Sequence, residues 1–480
     1  MQRLKITGMT HPDRPAAPPL PASTLESLRE SVRAGLPRAI AELSDLVRIP
    51  SVSWDGFDPA HVQASADRVA ALLRELDVFD EVIVDRAPGA DGVLGQPAVL
   101  ARRAPSPGRP TVLLYAHHDV QPPGADSEWS SPPFEPTLRG DRLYARGVAD
   151  DKAGVMAHVA AVRALLETTA EPEIGIVAFI EGEEEFGSRS FGALLERHRD
   201  LLAADVIVVA DSDNWTVDTP SLTVGLRGNA TFSLTVSTLG HASHSGMYGG
   251  AVPDAMLATI ALLATLHDAD GAVAVDGLRS HEQEVPSIPE QRLRDEAALL
   301  DGVTPIGRGA LLHRLWAQPS ITVTGIDAPS VQNASNTLAP TITVKISARI
   351  APGQPAAEAF AALERHLRAH APFGAHLTVG AIDLGEPFLV DTSGWAVDEA
   401  LAAMREAWGS EPEQVGVGGS IPFIAQLAET FPAAQVLVTG VEDPHTRAHS
   451  PDESLHLGVF QRAILTEAAL LTRIQAHHVE

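Results

Sequence analysis

The sequence predicts an α/β protein: a three-layer α/β/α domain around a largely parallel mixed sheet, plus an inserted α+β domain with a mainly antiparallel sheet. Three observations predict it. Thr111–Ala116, Ile174–Ile180 and Asp205–Ala210 are short apolar runs without alternation, the mark of strands covered on both faces. A helical pattern separates the first two, as in a βαβ unit. Further on, Thr231–Ser237 and Thr341–Ile350 alternate strictly, which requires a sheet with one packed and one open face.

The elements follow in order. Residues 1–22 carry five prolines between Pro12 and Pro21 and read as a disordered tail. A helix is expected from about Leu25 to Val47, closed by Ile49-Pro50, and a second from about Val62 to Leu76. Ala153–Leu166 is the helix between the first two apolar strands. In the alternating segment, Ile342, Val344, Ile346, Ala348 and Ile350 share one face, and Thr341, Thr343, Lys345, Ser347 and Arg349 the other. Helical patterns near Asp254–Leu266 and Ala356–Ala369 would cover its packed side. The α/β style resumes with a helix at Trp395–Trp408, a strand at Gln435–Val438 and a closing helix from about Leu455. These changes place one domain at 23–225 and 387–480 and the inserted domain at 226–386. Residues 268–320 are rich in loop signals and yield no clear element.

Composition narrows the function. In 480 residues, 62 acidic against 35 basic side chains give 35 − 62 = −27, which argues against nucleic acid and anionic membranes as partners. The absence of cysteine excludes thiolate chemistry, so any metal must be held by His, Asp and Glu. No apolar stretch is long enough for a membrane span, and the first twenty residues lack a signal-like apolar core, so a cytoplasmic location is expected.

The chemistry-bearing residues cluster where the strands end, which in open α/β sheets is the ligand crevice. His117-His118-Asp119 follows the first strand, Glu181 to Glu185 the second and Asp211 the third. Arg146-Gly147-Val148-Ala149-Asp150-Asp151-Lys152 precedes a helix, and Asp443 to His449 follows the last strand. Taken singly, each has an ordinary reading as a cap, a turn or a solvated face. Together, so many carboxylates would repel unless cations lay among them, and N/O donors suit zinc or manganese.

These residues resemble the dinuclear-metal peptidases that include carnosinase-type dipeptidases, acetylornithine deacetylase, succinyl-diaminopimelate desuccinylase and glutamate carboxypeptidase, with the dipeptidase branch closest. The matching blocks are Ala116-His117-His118-Asp119-Val120-Gln121-Pro122, the 146–152 segment, Glu184-Glu185-Phe186-Gly187-Ser188, His244-Ser245-Gly246 with Gly249-Gly250, Gly418-Gly419-Ser420-Ile421-Pro422, and His449-Ser450-Pro451-Asp452-Glu453. The resemblance implies two divalent metals bridged by Asp150, with His117 and Asp211 completing one site and Glu185 and His449 the other. The ions would be zinc, with manganese or cobalt as alternatives. Asp213 competes with Asp211, whose distance from Arg227-Gly228 fits better. Glu184 would be the general base and Asp119 the partner of the His117 imidazole. The Asp150–Asp151 peptide is often cis in this family.

The resemblance also assigns Arg349 to a substrate carboxylate, Gly419 and Ser420 to the substrate terminus, and His244 to the oxyanion, reached in the dipeptidase branch from a partner subunit of a homodimer. His118, His241 and His445 fall off the matched positions and are expected to be structural. The implied activity is hydrolysis of dipeptides or short peptides by a catalytic domain of residues 23–225 and 387–480, with residues 226–386 as a lid or dimerisation domain. An N-acyl-amino-acid deacylase or carbamoylase would use the same residues, and an inactive metal- or peptide-binding relative would lack one of them.

Overall fold

The computed structural model describes residues 17–169, 171–418 and 422–479. The described residues divide into two compact units: one contains Gly225–Leu389 and Gly416–Ala425, and the other contains residues 17–224, Val390–Val415 and residues 426–479.

The larger unit is built on a mixed sheet. Its strands lie in the order Glu81–Asp85, Ala98–Arg103, Gly175–Glu181, Thr111–His117, Val206–Val209, Gln435–Val438 and Ser221–Leu226. The four central strands pair in parallel, and the flanking pairs are antiparallel. Every residue of Thr111–His117 and of Gly175–Glu181 is buried, which is why these runs are apolar without alternation. Helices Ala22–Val47, Lys152–Thr168 and Leu457–Ile474 pack on one another, and helix Pro59–Glu75 lies on the first two strands. Asp58 starts that last helix by accepting from the Ala60 amide at 3.0 Å, with Pro59 in the first helical position.

The closing helix begins at Leu457, later than the apolar pattern predicts, because Ser454–His456 forms a small sheet with Arg142–Tyr144 and Thr137–Arg139. Of the expected tail, residues 1–16 lie outside the described residues. The described part is held down: Pro18 O accepts from Arg473 Nη2 at 2.6 Å, and the Leu20 amide donates to Glu406 at 2.7 Å.

The smaller unit carries a four-stranded antiparallel sheet in the order Ser320–Asp327, Thr341–Ile350, Gly228–Ser237 and His376–Gly385. Burial alternates along Thr341–Ile350 in the period of the sequence. Its buried side joins Phe232, Leu234 and Val236 in a core beneath helices Ala255–Leu263 and Ala356–Ala369. No helix among the described residues is long and apolar enough to cross a membrane.

Candidate metal centre

The parallel strands deliver their carboxyl ends to one edge of the larger unit. His117 is the last residue of its strand and lies in register with Glu181 of the neighbouring strand. Beyond Glu181 the chain folds into a 3₁₀ turn at Glu184–Phe186, and Asp211 follows Val206–Val209 by two residues. Asp150 stands two residues before helix Lys152–Thr168, and His449 stands in the loop after Gln435–Val438.

Local sequence shapes each approach. Gly147 adopts φ +75°, and a Cβ there would sit 2.2 Å from Val120 Cγ1. A Cβ on Gly154 would fall 2.1 Å from Asp151 Oδ1, so the helix can approach the acidic turn only without a side chain at that position. The Asp150–Asp151 peptide is cis. His449 holds φ +59°.

Two triads result, and they share Asp150. His117, Asp150 and Asp211 offer donor atoms within 4.8 Å of one another, as do Asp150, Glu185 and His449. Asp150 Oδ1 is 3.2 Å from His117 Nε2, while Asp150 Oδ2 is 2.9 Å from His449 Nε2. His449 Nε2 is 3.2 Å from Glu185 Oε2, and His117 Nε2 is 4.0 Å from Asp211 Oδ1. Glu184 Oε2 lies 3.9 Å from His117 Nε2, beside the triads.

The electrostatics are those of a site built for cations. Burial, then neighbouring carboxylates, push Glu185 up to about 7 and Asp211 up to about 6. Burial, with Asp211 and Glu185 against it, also raises Glu184 well above the usual range. Burial opposes charge on His117 and Asp150 too, but their mutual contact, with Asp119 and His449, holds the imidazole up and the carboxyl down. Hydrogen bonds to Asp150 and Glu185 raise His449 to about 11. His117 Nε2 is nevertheless buried with no hydrogen-bond partner. An orphaned imidazole nitrogen among crowded carboxylates fits divalent metal, whose charge reverses this local balance.

A second layer fixes the donors. Asp119 lies behind His117, its Oδ1 3.3 Å from Nδ1, and accepts the amides of Glu184 and Glu185 at 3.1 Å each and the Ser53 hydroxyl at 2.7 Å. Gln121 donates to Glu185 from its amide at 3.2 Å and its side chain at 2.6 Å. Glu453, fully buried, accepts from Arg146 Nη1 at 2.7 Å and from the amides of Gly147, Ala149 and Asp150 at 3.0, 3.0 and 3.2 Å.

The sequence profile of Peptidase family M20/M25/M40 matches residues 113–473. The chain belongs to this family. Among M20 relatives, a cysteinylglycine-S-conjugate dipeptidase of Corynebacterium striatum is 34% identical over 442 residues, covering 90% of this chain and 95% of that protein. A Beta-Ala-His dipeptidase of Homo sapiens is 28% identical over 439 residues, covering 87% and 85% respectively. The solved structure of the di-peptidase Dug1p from Saccharomyces cerevisiae has the same fold, with a TM-score of 0.81 at 22% identity over 94% of this chain and 98% of that one.

The remaining candidate residues are not members of the two triads. In the smaller unit, His244 is exposed and its Nδ1 accepts the Gly246 amide at 3.0 Å. Arg349 is half-buried on its strand, opposite Asn229 and Ser320. Gly419 and Ser420 lie outside the described residues. Asp213 forms a parallel bridge with Glu442 and is not in either triad. His118 is buried and bonded to Pro97 O at 2.9 Å, and Lys152 caps the end of the first helix by donating to Leu46 O and Ile49 O at 2.9 and 2.7 Å.

Sequence reasoning missed the work of Glu453, Gln121 and Ser53. Glu453 was visible as the last residue of a motif block, but its role arises from backbone amides some 300 positions upstream. Glu183, within the acidic run, is also buried and binds the Ser190 amide at 2.7 Å instead of facing solvent.

Proposed function

We propose that this chain is a dinuclear-metal dipeptidase that hydrolyses dipeptides or short peptides. The observation that carries the reading is the pair of triads sharing Asp150, supported by the dipeptidase relatives. His117, Asp150 and Asp211 would hold one ion, and Asp150, Glu185 and His449 the other. When bound, such a pair polarises the scissile carbonyl and brings the pKa of water towards ~7.

The chain's residues supply the rest. Glu184 lies beside both triads without being a member, so its carboxylate takes the attacking water's proton and returns it to the leaving amine. Asp119 holds the His117 ring through Nδ1 and, through the amides of residues 184 and 185, sets the base and a ligand against the same anchor. Glu453 fixes the turn that presents Asp150. By the same resemblance, Arg349 receives the substrate carboxylate, Gly419 and Ser420 the substrate terminus, and His244 the oxyanion from a partner subunit of a homodimer. Zinc, with manganese or cobalt as substitutes, and a cytoplasmic location complete the proposal.

A panel of dipeptides and N-acyl amino acids tests it. Hydrolysis of dipeptides supports the reading; cleavage of acyl or carbamoyl derivatives alone replaces it with a deacylase or carbamoylase.

A further inference from the structure

Arg227 is a buried cation whose partners are all neutral. It is 7% exposed. Its Nε donates to Gly418 O at 2.9 Å, and its Nη1 donates to Gln318 O at 3.3 Å and to Ser320 Oγ at 3.2 Å. None of these acceptors is a carboxylate, although a buried charge ordinarily requires one.

A second guanidinium stands next to it. Ser320 pairs directly with Arg349 across the sheet, so the two side chains occupy the same face. The Ser320 hydroxyl that accepts from Arg227 therefore brings the Arg227 head to the side of the sheet that carries Arg349. Burial, with the Arg349 charge adding to it, draws Arg227 down to about 10. Two like charges placed side by side in a half-buried site repel, and the arrangement becomes favourable when an anion lies against them.

The same guanidinium holds the residue that follows the neighbouring strand, Glu413–Val417. A Cβ on Gly418 would lie 3.0 Å from Arg227 Nη2, so that nitrogen passes close over the glycine while Nε holds its carbonyl. Gly418 opens the Gly418-Gly419-Ser420-Ile421-Pro422 block.

We propose that Arg227 is a second carboxylate-binding arginine, which joins Arg349 in receiving the substrate's carboxylate while its Nε holds the Gly418 carbonyl. The inference rests on the reading above that Arg349 takes that carboxylate. Its ligand is a planar monoanion on a small molecule, the geometry that a guanidinium fork matches.

The test uses metal-loaded enzyme and two probes, N-acetylglycine and its neutral amide, with binding measured by calorimetry in wild type, R227M and R227K. The expected result is roughly tenfold weaker N-acetylglycine binding in R227M, in line with the loss of a charge-assisted bond, with amide binding unchanged and R227K intermediate. In kinetics on a dipeptide, KM should rise while kcat stays within a few fold. Equal weakening of both probes, or no change in either, overturns the inference. Should R227M fail to fold, R227K carries the comparison, because it keeps the charge and loses the fork. Should wild type hydrolyse no dipeptide while N-acetylglycine binding still depends on Arg227, the proposed function fails and the carboxylate site stands.

Discussion

The Asp119 carboxylate ties His117 to Glu184: Oδ1 stands 3.3 Å from the imidazole Nδ1 and also accepts the Glu184 amide at 3.1 Å. The Asp119 side chain is fully buried, so neither contact is shared with solvent, and the Asp119 carbonyl oxygen adds a hydrogen bond to the same Nδ1 at 3.1 Å. One residue thus sets the orientation of a donor in one triad and the backbone that carries the neighbouring base. Asp119→Asn should lower metal affinity by about 10–100-fold, the usual effect of losing the group that orients a ligating histidine. Titration of metal-free protein with zinc, followed by calorimetry, measures it.

Glu184→Gln separates proton transfer from metal holding. Glu184 is not a member of either triad, so two ions per chain should remain. Turnover should fall by about 10²–10⁴-fold, the range for a lost general base. Metal content and kcat measured on the same preparation check both halves.

Glu453→Gln acts on stability. The carboxylate is the buried partner of Arg146 and the acceptor of three loop amides. Breaking a buried pair from one side costs about 3–5 kcal/mol because a charge is left uncompensated. Urea denaturation should show a loss of that order, together with weaker metal binding through the displaced Asp150.

Gly154→Ala tests the close approach of the helix to the acidic turn. The new methyl would fall 2.1 Å from Asp151 Oδ1 and 2.6 Å from Ala210 O, and backbone cannot yield as a long side chain does. An overpacking cost of about 1–3 kcal/mol is expected, read as a lower melting temperature.

What the sequence could and could not reveal follows from how each element is buried. Strands Thr111–His117 and Gly175–Glu181 are covered on both faces, so composition alone marks them. Thr341–Ile350 keeps period two over its whole length because one side is core. The edge strands of its sheet, Ser320–Asp327 and His376–Gly385, are largely exposed and interrupted by register shifts at Val323/Gly325 and Gly380/Asp383, which break the alternation that a reader would need. The triad residues were legible because each sits just past a strand or before a helix in a recognisable block. Glu453 and Ser53 were not, since their bonds join distant segments whose proximity only the folded chain creates.

The central claim is that Asp150 joins two metal positions. Metal analysis of wild type and Asp150→Asn, paired with dipeptide hydrolysis before and after chelation and re-addition of zinc, manganese or cobalt, addresses it directly. The account predicts two divalent ions per wild-type chain, activity lost on chelation and restored by metal, and loss of both ions together in Asp150→Asn. Full activity in metal-free wild type, or retention of one tightly held ion with unchanged turnover in Asp150→Asn, would contradict it.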